Sequence, residues 1–328
     1  VAARPALEGR VTTRALPRHW ASADERTFAA GIRFLLIVYR VFGRTIFRFV
    51  VFPTVLFYIA TDSRARAASR EYLARVYRAL GRPTSDVGAG AVLRHFSSFA
   101  ECVIDKVRIW SDAADALPVE FHGREAVAEQ IALGRGGLIM TSHLGNIELC
   151  RVLSKQRPGL RITVLVHTKN ARVFNQLLAE LNPESALNLM QVTELTPEAA
   201  ILIGQKVDAG EFVVMAGDRV PVSPRPRVAI AKLLGDRAAF PVGPYILGGL
   251  LQCPIYLMFC LRRGAEYHVH YELFRDRIDL PRRDRVPALA ALASAYAARL
   301  EHYCLEAPFE WFNFYDFWAE PESGWNDV

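Results

Sequence analysis

Residues 137–151 read Gly-Leu-Ile-Met-Thr-Ser-His-Leu-Gly-Asn-Ile-Glu-Leu-Cys-Arg. Leu138, Ile139 and Met140 form a short apolar run between Gly136-Gly137 and the polar Thr141 and Ser142. An apolar run of that length bounded by turn residues reads as a buried strand ending at a turn. His143 stands at the strand's mouth, and Ile147, Leu149, Cys150 and Val152 supply the apolar face of a following helix, Glu148–Lys155. His143 and Glu148 are five residues apart, slightly past the one-turn neighbour spacing. With His143 at the helix cap, the Glu148 carboxylate can fold back to one imidazole nitrogen. A carboxylate on Nδ1 fixes the tautomer and leaves Nε2 facing the cleft as a general base. Such a base deprotonates a hydroxyl or amine as it attacks an ester or thioester carbonyl. The plainer alternative is a capping histidine and a solvated glutamate. Gly145 and Asn146 favour the chemical reading, because small residues let a substrate approach the loop closely. The strand also delivers the histidine to the carboxyl edge of a sheet, where open α/β folds place their sites.

Working outward, the chain from Pro118 onward alternates short apolar strands with helices. Strands are predicted at Val119–Phe121, Leu138–Thr141, Ile162–Val166, Leu187–Gln191, Phe212–Ala216, Ala238–Pro241, Ile255–Cys260 and His268–Glu272. Helices fit between them at Arg124–Gly134, Glu148–Lys155, Asn170–Leu181, Pro197–Ala209, Gly243–Leu251 and Val286–Glu306. The fold class is therefore α/β, a mixed and mostly parallel sheet flanked by helices.

Upstream the pattern is helical. Between Thr27 and Ala60, Phe34, Leu35, Leu36, Ile37, Val38, Val41, Phe42, Ile46 and Phe47 are interrupted by Arg33, Arg40, Arg44 and Arg48, which align on one helical stripe. A simple span is disfavoured, since each mid-segment arginine costs roughly 2.5–3.5 kcal/mol at the bilayer centre. An amphipathic helix lying in the membrane interface fits better; the alternative is a core helix whose arginines line a carboxylate-rich groove. The expected organisation is a disordered or appended tail at 1–18, a helical membrane-associating region at 19–115, and an α/β core at 116–328 that packs with those helices as one unit.

Composition narrows the function. The net charge is +6 and arginine far outnumbers lysine, which suits acidic carrier proteins or anionic lipid headgroups. No nucleic-acid signature is present, so nucleic acid is not an expected partner. Five cysteines without paired spacing read as buried free thiols, and neither a metal motif nor a redox cofactor motif is visible.

Two further constellations lie at strand ends. Met215-Ala216-Gly217-Asp218-Arg219-Val220-Pro221 falls at the same sheet edge as His143. Asp218 either orients His143 or holds an acceptor amine, and Arg219 suits an anionic headgroup or carrier phosphate; a plain Gly-Asp turn is the alternative. Lys169, Asn170 and Arg172, after the strand Ile162–Val166, make a phosphate cradle at a helix start or simply a solvated capped helix. Arg225 and Arg227 sit on a loop able to cover the cleft.

The block His-Leu-Gly-Asn-Ile-Glu, residues 143–148, resembles the H-x4-E motif of the bacterial lipid A biosynthesis (late) acyltransferases within the lysophospholipid acyltransferase superfamily. Residues 215–221 occupy the place of the family's D-Q-x-P-type motif, with Arg219 replacing the glutamine. Residues 234–244, Leu-Gly-Asp-Arg-Ala-Ala-Phe-Pro-Val-Gly-Pro, resemble a family loop near the acyl channel. The tail Glu310-Trp311-Phe312-Asn313-Phe314-Tyr315-Asp316-Phe317-Trp318 looks more like the branch associated with aryl polyene or other glycolipid and aminolipid pathways. The resemblance implies a glycerolipid-acyltransferase-like fold, with His143 and Glu148 catalytic. Asp218, Arg219, Lys169, Asn170, Arg172 and Asn146 would bind substrate. It further implies an acyl carrier protein or coenzyme A thioester as co-substrate, a lipid or glycolipid acceptor, and residence on the cytoplasmic face of a bacterial inner membrane with its anionic surface. No cofactor is expected, and no covalent acyl-enzyme is needed, in keeping with the lack of a nucleophile elbow. Two other functions share the same residues: a non-catalytic lipid or acyl-carrier binding protein, and a thioester or ester hydrolase.

Overall fold

The computed structural model describes residues 25–110, 117–149, 160–166, 187–191, 196–221 and 226–319. Three helices come first: α1 (Glu25–Thr61), α2 (Ser63–Ala79) and α3 (Ala89–Trp110). Helix α1 runs unbroken through Pro53 but departs from helical geometry at Gly43, whose φ is 72°. Asp62 caps α2 by accepting the Ala65 N–H at 2.9 Å. Val38, Phe47 and Val51 of α1 bury against Ala100 and Ile104 of α3, and Arg48 pairs with Glu101 of α3 at 2.7 Å. Arg48 thus serves the carboxylate-groove alternative, whereas Phe34, Ile37, Val41, Phe42, Phe49 and Phe57 are exposed, Phe49 at 75%. Among the described residues no single helix is long and apolar enough to cross a membrane. One bent pair, Thr45–Thr61 with Ser63–Ala79 at 91°, passes by length and composition alone.

The α/β portion has nine strands among the described residues: β1 (Val119–His122), β2 (Gly137–Thr141), β3 (Ile162–Val166), β4 (Leu187–Gln191), β5 (Phe212–Ala216), β6 (Val228–Leu233), β7 (Asp236–Pro241), β8 (Ile255–Arg263) and β9 (Glu266–Arg275). Its helices are α4 (Arg124–Ala132), α5 (Pro197–Asp208), α6 (Gly243–Leu251) and α7 (Arg285–Glu306). Seven strands form one sheet in the order β1-β9-β8-β2-β5-β3-β4. The five from β8 to β4 are parallel, while β9 turns back antiparallel to β8 and carries β1 beside it. The mostly parallel sheet flanked by helices expected from the sequence is the one observed. Its central strands are buried on both faces, which is why they read as continuous apolar runs.

One local expectation is corrected, and two further segments find their places. Val228–Leu233, assigned to no element from the sequence, is a strand that pairs with β7 in a separate antiparallel hairpin, so β7 stands outside the main sheet. The segment after His143 is a short 3₁₀ turn, Ile147–Leu149, in place of the start of a helix at Glu148; residues 150–159 lie outside the described set. The aromatic tail is core at Trp311, which is fully buried. Cys102, Cys253, Cys260 and Cys304 are buried free thiols, as expected, and Cys150 lies outside the described residues.

Candidate active site

Parallel register builds the site. Strands β2 and β5 pair Gly137 with Phe212 through Thr141 with Ala216, so both end level. Two residues beyond each end stand His143 and Asp218. The Gly217 N–H continues the ladder to the Thr141 carbonyl at 2.8 Å, and the same carbonyl accepts the Tyr296 hydroxyl of α7 at 2.8 Å. Asp218 then receives two bonds from His143, the backbone N–H on Oδ2 and the ring Nδ1 on Oδ1, both at 2.8 Å. The Trp311 indole N–H adds a third at 2.9 Å on Oδ2.

Three donors on a buried carboxylate decide its charge. Burial alone would push the Asp218 carboxyl up; the His143 charge and hydrogen bond, Arg219 and the Trp311 N–H outweigh it and hold the carboxyl at about 2. An ionised Asp218 can only accept, so Nδ1 carries the proton and Nε2 keeps its lone pair. The His143 imidazole is lowered from its ordinary value, first by desolvation and also by Arg219, against the raising effect of Asp218. Its side chain remains 36% exposed, against 1% for Asp218. The imidazole is therefore a neutral base at pH 7, oriented from below by an ionised carboxylate and open on one side.

The sequence offered both Glu148 and Asp218 as partners of His143, and the structure places Asp218 on Nδ1. Local spacing suggested the first pairing; register between two strands 75 residues apart produces the second. Glu148 is half-buried in the 3₁₀ turn, its N–H donating to Asn146 Oδ1 at 3.2 Å. Asn146 is fully buried, and its Nδ2 finds no acceptor among the described residues. Arg219 donates Nη2 to the Phe312 carbonyl at 3.0 Å, while its buried Nε likewise finds no acceptor. Lys169, Asn170, Arg172 and Arg225 lie outside the described residues; Arg227 is exposed.

The contact of the tail with the site is the part that sequence reasoning missed. Trp311 makes an antiparallel bridge with Leu144, Phe312 N–H donates to the His143 carbonyl at 3.0 Å, and Gly145 N–H donates to the Glu310 carbonyl at 2.8 Å. The loop can lie this close because Gly145 has φ 68° and no side chain; a Cβ there would fall 1.5 Å from the Cys260 carbonyl oxygen. Beneath the tail, His95 Nε2 meets the Trp311 carbonyl at 2.9 Å and its Nδ1 meets Ser69 Oγ at 2.9 Å. Burial lowers His95 to about 4, so it is neutral, donating to Trp311 and accepting from Ser69. Tyr72 packs edge-on against Trp311 at 5.1 Å. An aromatic side chain of this size buries roughly 150–250 Å², a gross transfer gain of about 4–6 kcal/mol. The aromatic density of residues 310–318 was the available signal, since an exposed tail has no use for it.

A histidine oriented by a buried carboxylate at the carboxyl edge of a parallel sheet is an arrangement able to take a proton from a hydroxyl or amine. The family model described as bacterial lipid A biosynthesis acyltransferase matches residues 24–319, most of the chain. No curated protein matches it. The coarse chemistry follows from that match: an acyltransferase of lipid biosynthesis, using an acyl donor and a lipid acceptor. With the H-x4-E block and the level strand ends inside the matched span, the chain belongs to the bacterial lipid A biosynthesis acyltransferase family.

Proposed function

We propose that this protein moves an acyl group from an acyl carrier protein or coenzyme A thioester to a hydroxyl or amine of a lipid or glycolipid acceptor. The observation that carries the reading is the His143–Asp218 pair, whose Nε2 is neutral and open. His143 Nε2 takes the acceptor's proton as the acceptor oxygen or nitrogen attacks the thioester carbonyl carbon. The tetrahedral intermediate collapses with loss of the thiolate, which receives the proton back from His143. Asp218 stabilises the transient imidazolium and does not itself take up the proton. Asn146 Nδ2 and Arg219 Nε, two buried donors beside this loop, are offered as holders of the carbonyl oxygen or of an acceptor phosphate. Glu148 is proposed to act from the loop side on the acceptor. Lys169, Asn170 and Arg172 are proposed for the phosphate end of donor or acceptor.

The exposed apolar residues of α1, Phe34, Ile37, Phe42, Phe49 and Phe57 among them, support seating at the cytoplasmic face of a bacterial inner membrane. The aromatic tail favours an aryl-polyene-type or other glycolipid or aminolipid product over lipid A itself. Lipid mass spectrometry of membranes carrying wild type or His143→Ala tests the reading. A lipid heavier by one acyl chain, present with wild type alone, names acceptor and acyl group together. Identical lipids, with acyl thioester hydrolysed without acceptor, would replace the transferase by a hydrolase; no turnover at all would leave a binding protein.

A further inference from the structure

At the far edge of the sheet, away from the H-x4-E loop, the strand register assembles a group of side chains that no sequence spacing reveals. Strands β1 and β9 pair in parallel with Glu120 opposite His268 and His122 opposite His270. Alternation along both strands puts all four on one face. His122 Nε2 and His268 Nδ1 are 3.0 Å apart, Glu120 Oε1 is 3.6 Å from the first and Glu120 Oε2 3.4 Å from the second. Metal–ligand bonds of about 2.0–2.2 Å in a tetrahedral site separate neighbouring donors by about 3.3–3.6 Å. One donor atom from each of the three residues lies within 4.8 Å of the other two, and the closest approaches of 3.0–3.6 Å span that range.

The rings are held in place. His122 stacks on His268 at 5.3 Å and on His270 at 4.5 Å, and His270 packs against Tyr303 of α7 at 5.1 Å. His268 is buried, His122 partly so and Glu120 exposed, which leaves one side of the triangle open to solvent. On the same face His270 Nε2 is buried with no hydrogen-bond partner among the described residues.

We propose that Glu120, His122 and His268 bind a divalent first-row transition-metal ion, with Zn²⁺ the best fit. Two imidazoles and one carboxylate suit Zn²⁺, Co²⁺ or Ni²⁺ and not Mg²⁺ or Ca²⁺, which prefer all-oxygen shells. The ion clips β1, a four-residue edge strand joined to the sheet through β9 alone, onto the strand that follows the Cys260 region of β8. Its role is structural: it stabilises the edge of the sheet where the helical region passes into it.

The test is metal binding by the untagged full-length chain. Titration with Co²⁺ should give visible d–d absorption saturating at one equivalent and displaced by Zn²⁺, and Zn²⁺ should raise the melting temperature. Glu120→Ala, His122→Ala and His268→Ala should each weaken binding by more than the roughly 10–100-fold lost with an outer-shell partner. His302→Ala, whose ring faces Glu306 at 3.7 Å, should leave it unchanged. Glu120 is exposed, so its alanine variant keeps the fold and decides the matter if a histidine variant misfolds. Absence of saturable Co²⁺ absorption in the wild type would overturn the proposal, as would undiminished binding in Glu120→Ala and His122→Ala.

Discussion

Trp311 donates its indole N–H to Asp218 Oδ2 at 2.9 Å, which ties the C-terminal tail to the carboxylate that holds His143. The bond belongs to a chain that begins at Ser69 on α2, passes through His95 on α3 and the Trp311 carbonyl, and ends at the imidazole. The helical region and the tail therefore reach the base through one continuous set of hydrogen bonds.

Removing that donor while keeping an aromatic ring isolates its contribution. Trp311→Phe should lower kcat/KM by about 10–100-fold, since a hydrogen bond to a charged group contributes about 1.5–3 kcal/mol. Stability should fall as well, because the smaller ring leaves a gap beside Tyr72. Steady-state kinetics beside thermal melting checks this, and an unchanged kcat/KM would reduce Trp311 to packing.

The pH profile of kcat/KM reports the base. His143 is lowered by desolvation and by Arg219, so the acid limb should have its midpoint below the ordinary 6.5, with a plateau at pH 7. In Arg219→Ala the midpoint should move upward, because a cation that disfavoured the imidazolium has gone. A midpoint that stays put would show that Arg219 does not act on His143.

Acid stability follows from Asp218. Its carboxyl is held at about 2 against 3.8 unfolded, so its contribution is fully present above pH 3.8 and is lost as pH falls through about 2. At 1.36 kcal/mol per unit this is about 2 kcal/mol. Denaturant melts between pH 2 and 5 should show the loss in wild type and a flatter curve in Asp218→Asn.

Gly145→Ala should be among the most destabilising single-methyl changes in the chain, on the order of 3–5 kcal/mol. Its Cβ would overlap the Cys260 carbonyl oxygen at 1.5 Å, on a backbone already at φ 68°. Gly235→Ala is the control: its φ is 89° but nothing lies within 4 Å, so its cost should stay near 1 kcal/mol, the strain of the backbone alone. Equal losses in the two would contradict the steric argument.

Much of the fold was legible because the central strands announce themselves as apolar runs bounded by turns. Leu138–Thr141 and Phe212–Ala216 did so, and their ends locate both His143 and Asp218. The partnership was harder to read. Five residues separate His143 from Glu148, and nearness in sequence favoured that pair, but the pairing is set by which strand lies beside β2 and in what register. No local pattern records strand order. Val228–Leu233 escaped for a related reason: an edge hairpin needs only one partner, and its sequence follows a proline-rich stretch that resembles a loop. The Glu120–His122–His268 group is hidden in the same way, its two strands lying 146 residues apart.

The most direct test measures acyl transfer from a defined acyl thioester to the lipid acceptor by purified Asp218→Asn, Glu148→Gln and wild-type protein. If Asp218 fixes the tautomer and supports the imidazolium, Asp218→Asn should lose about 10³–10⁴-fold in kcat with KM little changed, as loss of the carboxylate does in other carboxylate–histidine pairs. Glu148→Gln should lose less than Asp218→Asn. Wild-type turnover in Asp218→Asn, with Glu148→Gln inactive, would contradict the account and return the orienting role to Glu148.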